Sequence, residues 1–463
     1  NGSIICLDVS GENFEKTARH RQKAGDRIIR FAPGDPERSH CYNPMAEIAG
    51  MEDLDQRYEE IAALADTFIT STSSSAAWIE GCKSMFIATA MLAATIALVH
   101  DMLIAATTDD FALYASECTY ALASNTLRGF AGEEPKTLKI YIAILRDHGL
   151  GAWGRPSVRR VTNRNDFSMS DLRRIPTTIY VDCPESMIVR NAPLIRLLFQ
   201  QLSNVLHRST PSPDEPFKVL FLLDEFASLG KMDVIVNAYA TIRKHGGRII
   251  IVTQNMARLF DIYGVNAVKS FVADAGTRMV AATADLELAE MICKTVGDRT
   301  HKSVSVSRQS SGGLDLFGGK SRNTRAEGIR LVKPEDITNL DDTKLLVIRK
   351  NLTPLLIDKI RYFEDAYFQP IFEAQAGTPL PYPDKPAPTV DASLITRSAT
   401  PAQQTDEASA MTRDGEDMSE EALAATLADS ERLSDPVLPP RMRRAKSVPK
   451  QGTAQDQVAE AKV

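Results

Sequence analysis

Two adjacent carboxylates, Asp224 and Glu225, stand at the end of F-K-V-L-F-L-L, an almost unbroken apolar run that starts at Phe217. Apolar continuity over this length suits a parallel strand buried on both faces. Open α/β sheets place their ligands at the carboxyl ends of such strands. A hydrophobic strand ending in Asp-Glu has the form of a Walker B segment. There the Asp holds Mg²⁺ beside a nucleotide's phosphates, and the Glu orients or deprotonates the attacking water. A strand that merely ends in two solvated acids shows the same pattern, so the neighbouring elements have to decide.

A helical stretch from Val234 to His245 follows, closed by Gly246 and Gly247. A second apolar strand, Arg248–Val252, then runs directly into Thr253 and Gln254. Two buried strands joined by a helix form a βαβ unit. Gln254 is therefore expected at the same sheet edge as Asp224 and Glu225. Arg243, Lys244 and His245 crowd the last helical turn. Cations there suit the helix dipole and Gly246 suits a C-cap, which accounts for them without any function.

The wider pattern is more specific. L-L-D-E-F-A-S-L-G-K at 222–231, A-T-I-R-K-H-G at 240–246 and I-V-T-Q-N-M-A-R-L-F-D-I-Y-G at 251–264 resemble the coupling-protein ATPases of type IV secretion systems, the TraG type. L-D-V-S-G-E-N-F-E-K-T at 7–17 resembles their D-x-K-G-E segment, and R-F-A-P-G-D-P-E-R-S-H-C-Y-N-P at 30–44 their strand and Y-N-P turn. T-I-Y-V-D-C-P-E-S at 178–186 and A-P-L-I-R-L-L-F-Q-Q-L at 192–202 are similar to the strand and long helix ahead of Walker B. L-V-K-P-E-D-I-T-N-L at 331–340 and K-I-R-Y-F-E-D at 359–365 are similar to the closing segments. The resemblance runs in order over about residues 1–370.

The resemblance implies an α/β, RecA-like P-loop ATPase with a mostly parallel central sheet, an inserted all-α domain and a disordered C-terminal tail. Its substrate is ATP and its metal Mg²⁺. Asp224 is expected on the metal and nucleotide, Glu225 on the water, and Gln254 as a γ-phosphate or water sensor. Arg243 occupies the place of an arginine finger presented to a neighbouring subunit. A planar guanidinium spreads charge over phosphoryl oxygens better than an ammonium, which favours Arg243 over Lys244. Asp8, Gly11 and Glu12 fall in a segment close to the nucleotide; Ser10 replaces the usual Lys, and no catalytic role is assigned there.

A phosphate-cradling G-x-x-x-x-G-K-[ST] loop does not occur in the sequence. The nearest approach, Gly313 with Gly319, Lys320 and Ser321, has five intervening residues and sits in a Ser/Gly/Arg-rich stretch, 303–325, that reads as a loop. In the family the P-loop and its helix come just before the strand that Ser3–Val9 resembles. The sequence opens there with Asn1, so it reads as a fragment lacking the P-loop and the N-terminal membrane anchor.

At 463 residues the chain can bury one large core or two domains. A net charge of −6 argues against bulk attraction to DNA, so nucleic-acid contact requires a local basic stripe or a channel in an oligomer. Six scattered cysteines, with no C-x-x-C, argue against a structural metal or disulfide framework and fit a reducing compartment. Met85–Val99, the most apolar run, is shorter than the roughly 20 residues of a membrane span and reads as a buried helix.

The organisation expected is 1–45 as the first part of the nucleotide-binding domain and 46–165 as the all-α domain. The second part follows at 166–372, then a disordered tail at 373–463. Helices are expected over about 52–70, 78–105, 109–127 and 135–148, and Pro193 suits a helix N1 position. The tail's basic cluster at 441–450 reads as a solvated segment or as a contact for DNA, anionic lipid or protein.

The function implied is delivery of DNA–protein or effector substrates to the secretion channel, driven by ATP. The subunits would form a ring, a hexamer, at the cytoplasmic face of the inner membrane. Expected partners are single-stranded DNA with relaxase, effector proteins and channel components. The alternative is a non-catalytic substrate-receptor fragment that binds relaxase or effectors. A septum-type DNA translocase is a third reading, opposed by the all-α block and the Y-N-P segment.

Overall fold

The computed structural model describes residues 2–69, 75–254, 256–308 and 320–387. Apolar runs give five strands: β1 (Ser3–Asp8), β2 (Arg27–Phe31), β3 (Thr177–Asp182), β4 (Val219–Leu223) and β5 (Gly247–Ile251). They lie side by side in the order β2-β3-β1-β4-β5, every pair parallel. Leu7 pairs with Val181 and with Leu223, and Leu223 pairs with Ile251. All carboxyl ends therefore meet at one edge, as the α/β, mostly parallel expectation requires.

Helices cover the two faces of this sheet unequally. On one face α1 (Glu12–Lys23) buries Phe14 and Ala18 against Cys6, Ile28 and Tyr180. A helical block follows β2: α2 (Ala46–Ala49), α3 (Leu54–Phe68), α4 (Ile79–Ala90), α5 (Ile96–Ile104), α6 (Thr108–Glu117), α7 (Ala121–Ala131), α8 (Pro135–Asp147) and α9 (Pro156–Val161). On the opposite face α10 (Glu185–His207) buries Leu194, Leu197, Leu198 and Leu202. One apolar core runs from Ile5, Leu7 and Phe221 through α10 into the helical block at Phe68, Phe86 and Trp153.

The Y-N-P turn ties that block to the sheet. Asn43 N–H donates to Asn165 Oδ1 (2.7 Å), Asn43 Nδ2 to Ala94 O (3.0 Å), and Gln201 Nε2 to Pro44 O (2.7 Å). Entry and exit of the block are thus joined to each other and to α10.

Several local expectations change. The stretch 78–105 is two helices, because Thr95 accepts from Leu98 N–H and starts α5 anew. The intervening carbonyls of Ala93 and Ala94 are taken by Arg57 and Asn43. The stretch 109–127 likewise breaks between Glu117 and Ala121. Pro193 is not at N1 but inside α10. Its ring removes the N–H that would meet Val189, and Val189 stands out in solvent, 73% exposed. The next carbonyl, Arg190 O, accepts from Arg155 Nη2 at 2.6 Å.

Beyond β5 come α11 (Asp233–Thr241), which joins β4 to β5, then α12 (Met256–Tyr263), α13 (Val265–Asp274), β6 (Thr277–Val280) and α14 (Leu286–Val296). β7 (Asp298–Arg308) and β8 (Lys320–Arg330) form an antiparallel hairpin where a loop was expected. Its signal is the period-two alternation S-V-S-V-S, masked by a Ser- and Arg-rich composition. Lys320 and Ser321 start a strand, not a helix, so they form no P-loop; Gly313 and Gly319 lie outside the described residues. After α15 (Pro334–Thr338), β9 (Lys344–Arg349) and β10 (Leu355–Asp358) complete a second sheet, β10-β9-β6, before α16 (Phe368–Glu373).

Residues 374–387, which composition assigns to the disordered tail, pack as a strap. Gln375 Nε2 donates to Lys16 O (2.8 Å), Tyr382 lies against Phe14, and Ala387 N–H donates to Pro36 O (3.1 Å). Residues 388–463 of that expected tail, with the basic cluster, lie outside the described residues. No helix among the described residues is long and apolar enough to cross a membrane. All six cysteines are free and buried.

Candidate nucleotide site

The carboxyl edge of the sheet gathers Asp8, Asp182, Asp224, Glu225 and Gln254 at the ends of neighbouring strands. Asp224 and Glu225 are half-buried and Gln254 is exposed. Leu223 pairs with Ile251, so the Asp-Glu pair and Gln254 emerge from adjacent strands, each within three residues of that matched pair. The proximity of Asp224 to β1 shows electrostatically: burial pushes the Cys6 thiol up, and the carboxylates of Asp8 and Asp224 add to it.

Glu225 adopts a left-handed backbone, φ 50° and ψ 50°. Such a conformation is costly for a residue with a Cβ and persists only when its surroundings fix it. They do so here. Val252 N–H donates to Leu223 O (2.9 Å) and Phe226 N–H to Val252 O (3.2 Å), which locks the chain on both sides of Glu225. A 3₁₀ turn, Phe226–Leu229, follows with every residue buried. Tyr263 of α12 closes it, receiving Met232 N–H (2.9 Å) and donating to Gly230 O (3.1 Å).

The Glu225 carboxyl is held above its usual range. Burial is the main cause, the Arg258 guanidinium opposes it, and the charges of Asp224 and Glu185 reinforce it. A carboxylate with a raised proton affinity is a better base toward water. Arg258 was missed as a site residue in the sequence. Its signal was its place four residues after Gln254, at the start of α12.

Asp8 serves structure. Its carboxylate accepts Phe14 N–H (2.8 Å) and Asn13 N–H (3.3 Å) at the start of α1, beyond the positive-φ turn at Gly11. Burial raises its proton affinity, and Asp182 adds to the effect while the accepted N–H groups oppose it. Asp182 is paired with Arg30, whose Nε lies 2.9 Å away. These acids are committed to neighbours.

Arg243 is elsewhere. It is exposed in the 3₁₀ turn Ile242–His245, just before Gly246 and the first residue of β5. Gly247 pairs with Val219, at the amino end of β4. Arg243 therefore lies at the opposite edge of the sheet from Asp224, about 16 Å along the strand. The structure brings Asp224, Glu225 and Gln254 together and leaves Arg243 out of that cluster.

The donor set suits Mg²⁺. Mg²⁺ takes hard oxygen ligands, keeps several waters, and is bound through one or two carboxylates plus substrate phosphates. Asp224 offers such a carboxylate at the carboxyl edge of the parallel sheet, where open α/β sheets take their ligands. No cluster of three or more His, Cys, Asp or Glu able to cage a metal occurs among the described residues.

Known proteins share the sequence pattern and the fold of this chain. VirD4 of Agrobacterium fabrum is 37% identical over 392 residues, covering 82% of this chain and 58% of that protein. The chain thus spans a little over half of that relative's length. The unbound bacterial conjugative coupling protein TrwBdeltaN70 superposes with a TM-score of 0.59 at 22% identity, over 80% of each chain. TrwB solved with ADP and Mg²⁺ superposes with a TM-score of 0.52 at 18% identity, over 78% of this chain and 85% of that one. These two likenesses establish the shared fold. The sequence model described as "Type IV secretory system Conjugative DNA transfer" matches residues 1–404, and the chain belongs to that family.

Proposed function

We propose that the intact protein is an ATP-hydrolysing coupling protein of a type IV secretion system, which recruits DNA–protein or effector substrates and drives them to the channel. The observation that carries this reading is the Asp224–Glu225 pair, with Glu225 held left-handed, beside Gln254 on the adjacent strand. VirD4 and TrwB, the latter with ADP and Mg²⁺, give it support.

In this reading Asp224 holds Mg²⁺, which when bound neutralises charge developing on the phosphates. Glu225 takes a proton from the attacking water, and Gln254 orients that water or the γ-phosphate. Arg243 reaches no nucleotide edge in its own subunit, so it serves a neighbour's site, which implies a ring, a hexamer. The ring would work at the cytoplasmic face of the inner membrane, held by an anchor ahead of these residues.

We infer that a phosphate cradle would lie beside β5. β5 is an edge strand. Ile250 pairs with Leu222 on the α1 face, where Ile250 and Val252 remain 47% and 41% exposed. A strand–loop–helix unit entering β1 by a right-handed crossover would pair with β5 and set its helix on that face. Its loop would then open beside Gln254 and Asp224.

The test is Glu225→Gln in the protein carrying its phosphate loop. Nucleotide binding persists and turnover is lost, because the base goes while Asp224 stays on the metal. Parental turnover by this variant would refute the assignment.

A further inference from the structure

On a chain of net charge −6, Arg155 and Arg190 lie together with no carboxylate bonded to either among the described residues. Arg155 follows the 3₁₀ turn Leu150–Gly154 at the end of the helical block, and Arg190 lies on the first half of α10. Arg155 donates to Arg190 O (2.6 Å) and Ala152 O (3.3 Å), both carbonyls. Neither guanidinium has an ion-pair partner among the described residues. Burial, and then the charge of Arg190, disfavours the charged form of Arg155.

Both residues line an open cleft of about 400 Å³, with Arg146, Asp147, Val189 and Pro193. Asp147, the one carboxylate among the described lining residues, is already bonded by Arg146 Nε at 2.9 Å. Val189 adds an exposed apolar surface beside Arg190. The cleft is thus a concave, uncompensated positive site on an acidic protein. Guanidinium groups match phosphate oxygens in geometry as well as charge.

We propose that this cleft binds the phosphodiester backbone of a single-stranded nucleic acid, an inference that rests on the DNA-delivery reading above. An open cleft with guanidinia on its wall and Arg146 at its rim suits a strand passing through. A free anion would be held better by an enclosed pocket. Backbone contacts of this kind position a strand and carry no base specificity.

The test measures fluorescence anisotropy of a labelled oligothymidylate with the full 463-residue chain across a chloride series. Arg190 is exposed and, among the described residues, bonds through its backbone alone, so its replacement should leave the fold intact. Arg190→Ala should flatten the log–log salt slope by about 0.7, the loss of one single-strand phosphate contact, and weaken binding roughly eightfold at 50 mM salt. Arg190→Lys, which keeps the charge, should retain the slope. Inorganic phosphate at matched ionic strength should compete no better than chloride.

An unchanged slope in Arg190→Ala overturns the proposal, as does a parent chain that binds no oligonucleotide. Displacement of the strand by inorganic phosphate alone would assign the cleft to a free anion and overturn it too. Each of these failures leaves the hydrolysis reading standing, because Glu225→Gln tests that independently.

Discussion

Phe226 stacks on Tyr263, their ring centroids 5.7 Å apart and their planes 7° from parallel. Through this contact α12 braces the turn that holds Glu225 in its left-handed conformation. The Tyr263 hydroxyl adds two hydrogen bonds to the same turn, and burial pushes its proton affinity well up, so it remains a neutral donor.

Tyr263→Phe keeps the stack and removes the hydroxyl. Met232 N–H and Gly230 O then lose their partner, which should cost about 1–3 kcal/mol. Urea unfolding checks the stability, and in the intact protein turnover should fall while the nucleotide Kd stays.

Glu225→Gly and Glu225→Ala make an informative pair. Ordinarily Gly destabilises relative to Ala by roughly 0.5–1 kcal/mol. At φ 50° the order should invert, with the Gly variant more stable by about 1 kcal/mol. Urea midpoints of the two variants check it, and an Ala variant as stable as the Gly variant would contradict the strain.

His100 and Asp101 on α5 both meet Arg159 on α9, at 3.0 Å for His100 Nδ1 and 2.7 Å for Asp101 Oδ2. Burial holds His100 below its ordinary value of 6.5, with the Arg159 charge assisting and Asp101 opposing. Burial works to raise Asp101, but the hydrogen bonds and charge of Arg159 prevail and hold it below 3.8. Both folded values lie below the unfolded ones. Each contribution is therefore present above the unfolded value and lost as pH falls, for His100 below about 6.5 and for Asp101 below about 3.8. Stability should decline from pH 7.5 to 5.5, and His100→Gln should remove part of that decline in urea titrations.

Arg243→Ala in the intact protein should leave ATP binding by the monomer intact and depress turnover of the ring by roughly 10³-fold. Mixing it with Glu225→Gln subunits should restore part of the activity, because some interfaces then join an intact Glu225 to an intact Arg243. No recovery on mixing would show that Arg243 only caps its helix against Gly246.

The strands and their polar ends were legible because burial on both faces leaves a continuous apolar run, as in Thr177–Asp182 and Val219–Leu223. The Asp224, Glu225 and Gln254 cluster followed from strand ends alone. Arg258 did not, since its link to Glu225 depends on the angle at which α12 leaves β5. Pro193 was misplaced because Arg155, 38 residues upstream, supplies the hydrogen bond that the neighbouring carbonyl needs. The strap at 374–387 was hidden because its anchors, Lys16, Phe14 and Pro36, lie more than 340 residues away in sequence.

α11 starts eight residues after Glu225 and ends two residues before Arg243. It rises about 13 Å between those points and is pinned near its start, where Met232 N–H meets Tyr263. This short helix spans the distance between the two edges of the sheet. On the proposal that Arg243 serves a neighbouring subunit, these nine residues would join the water-activating turn of one site to the guanidinium offered to the next.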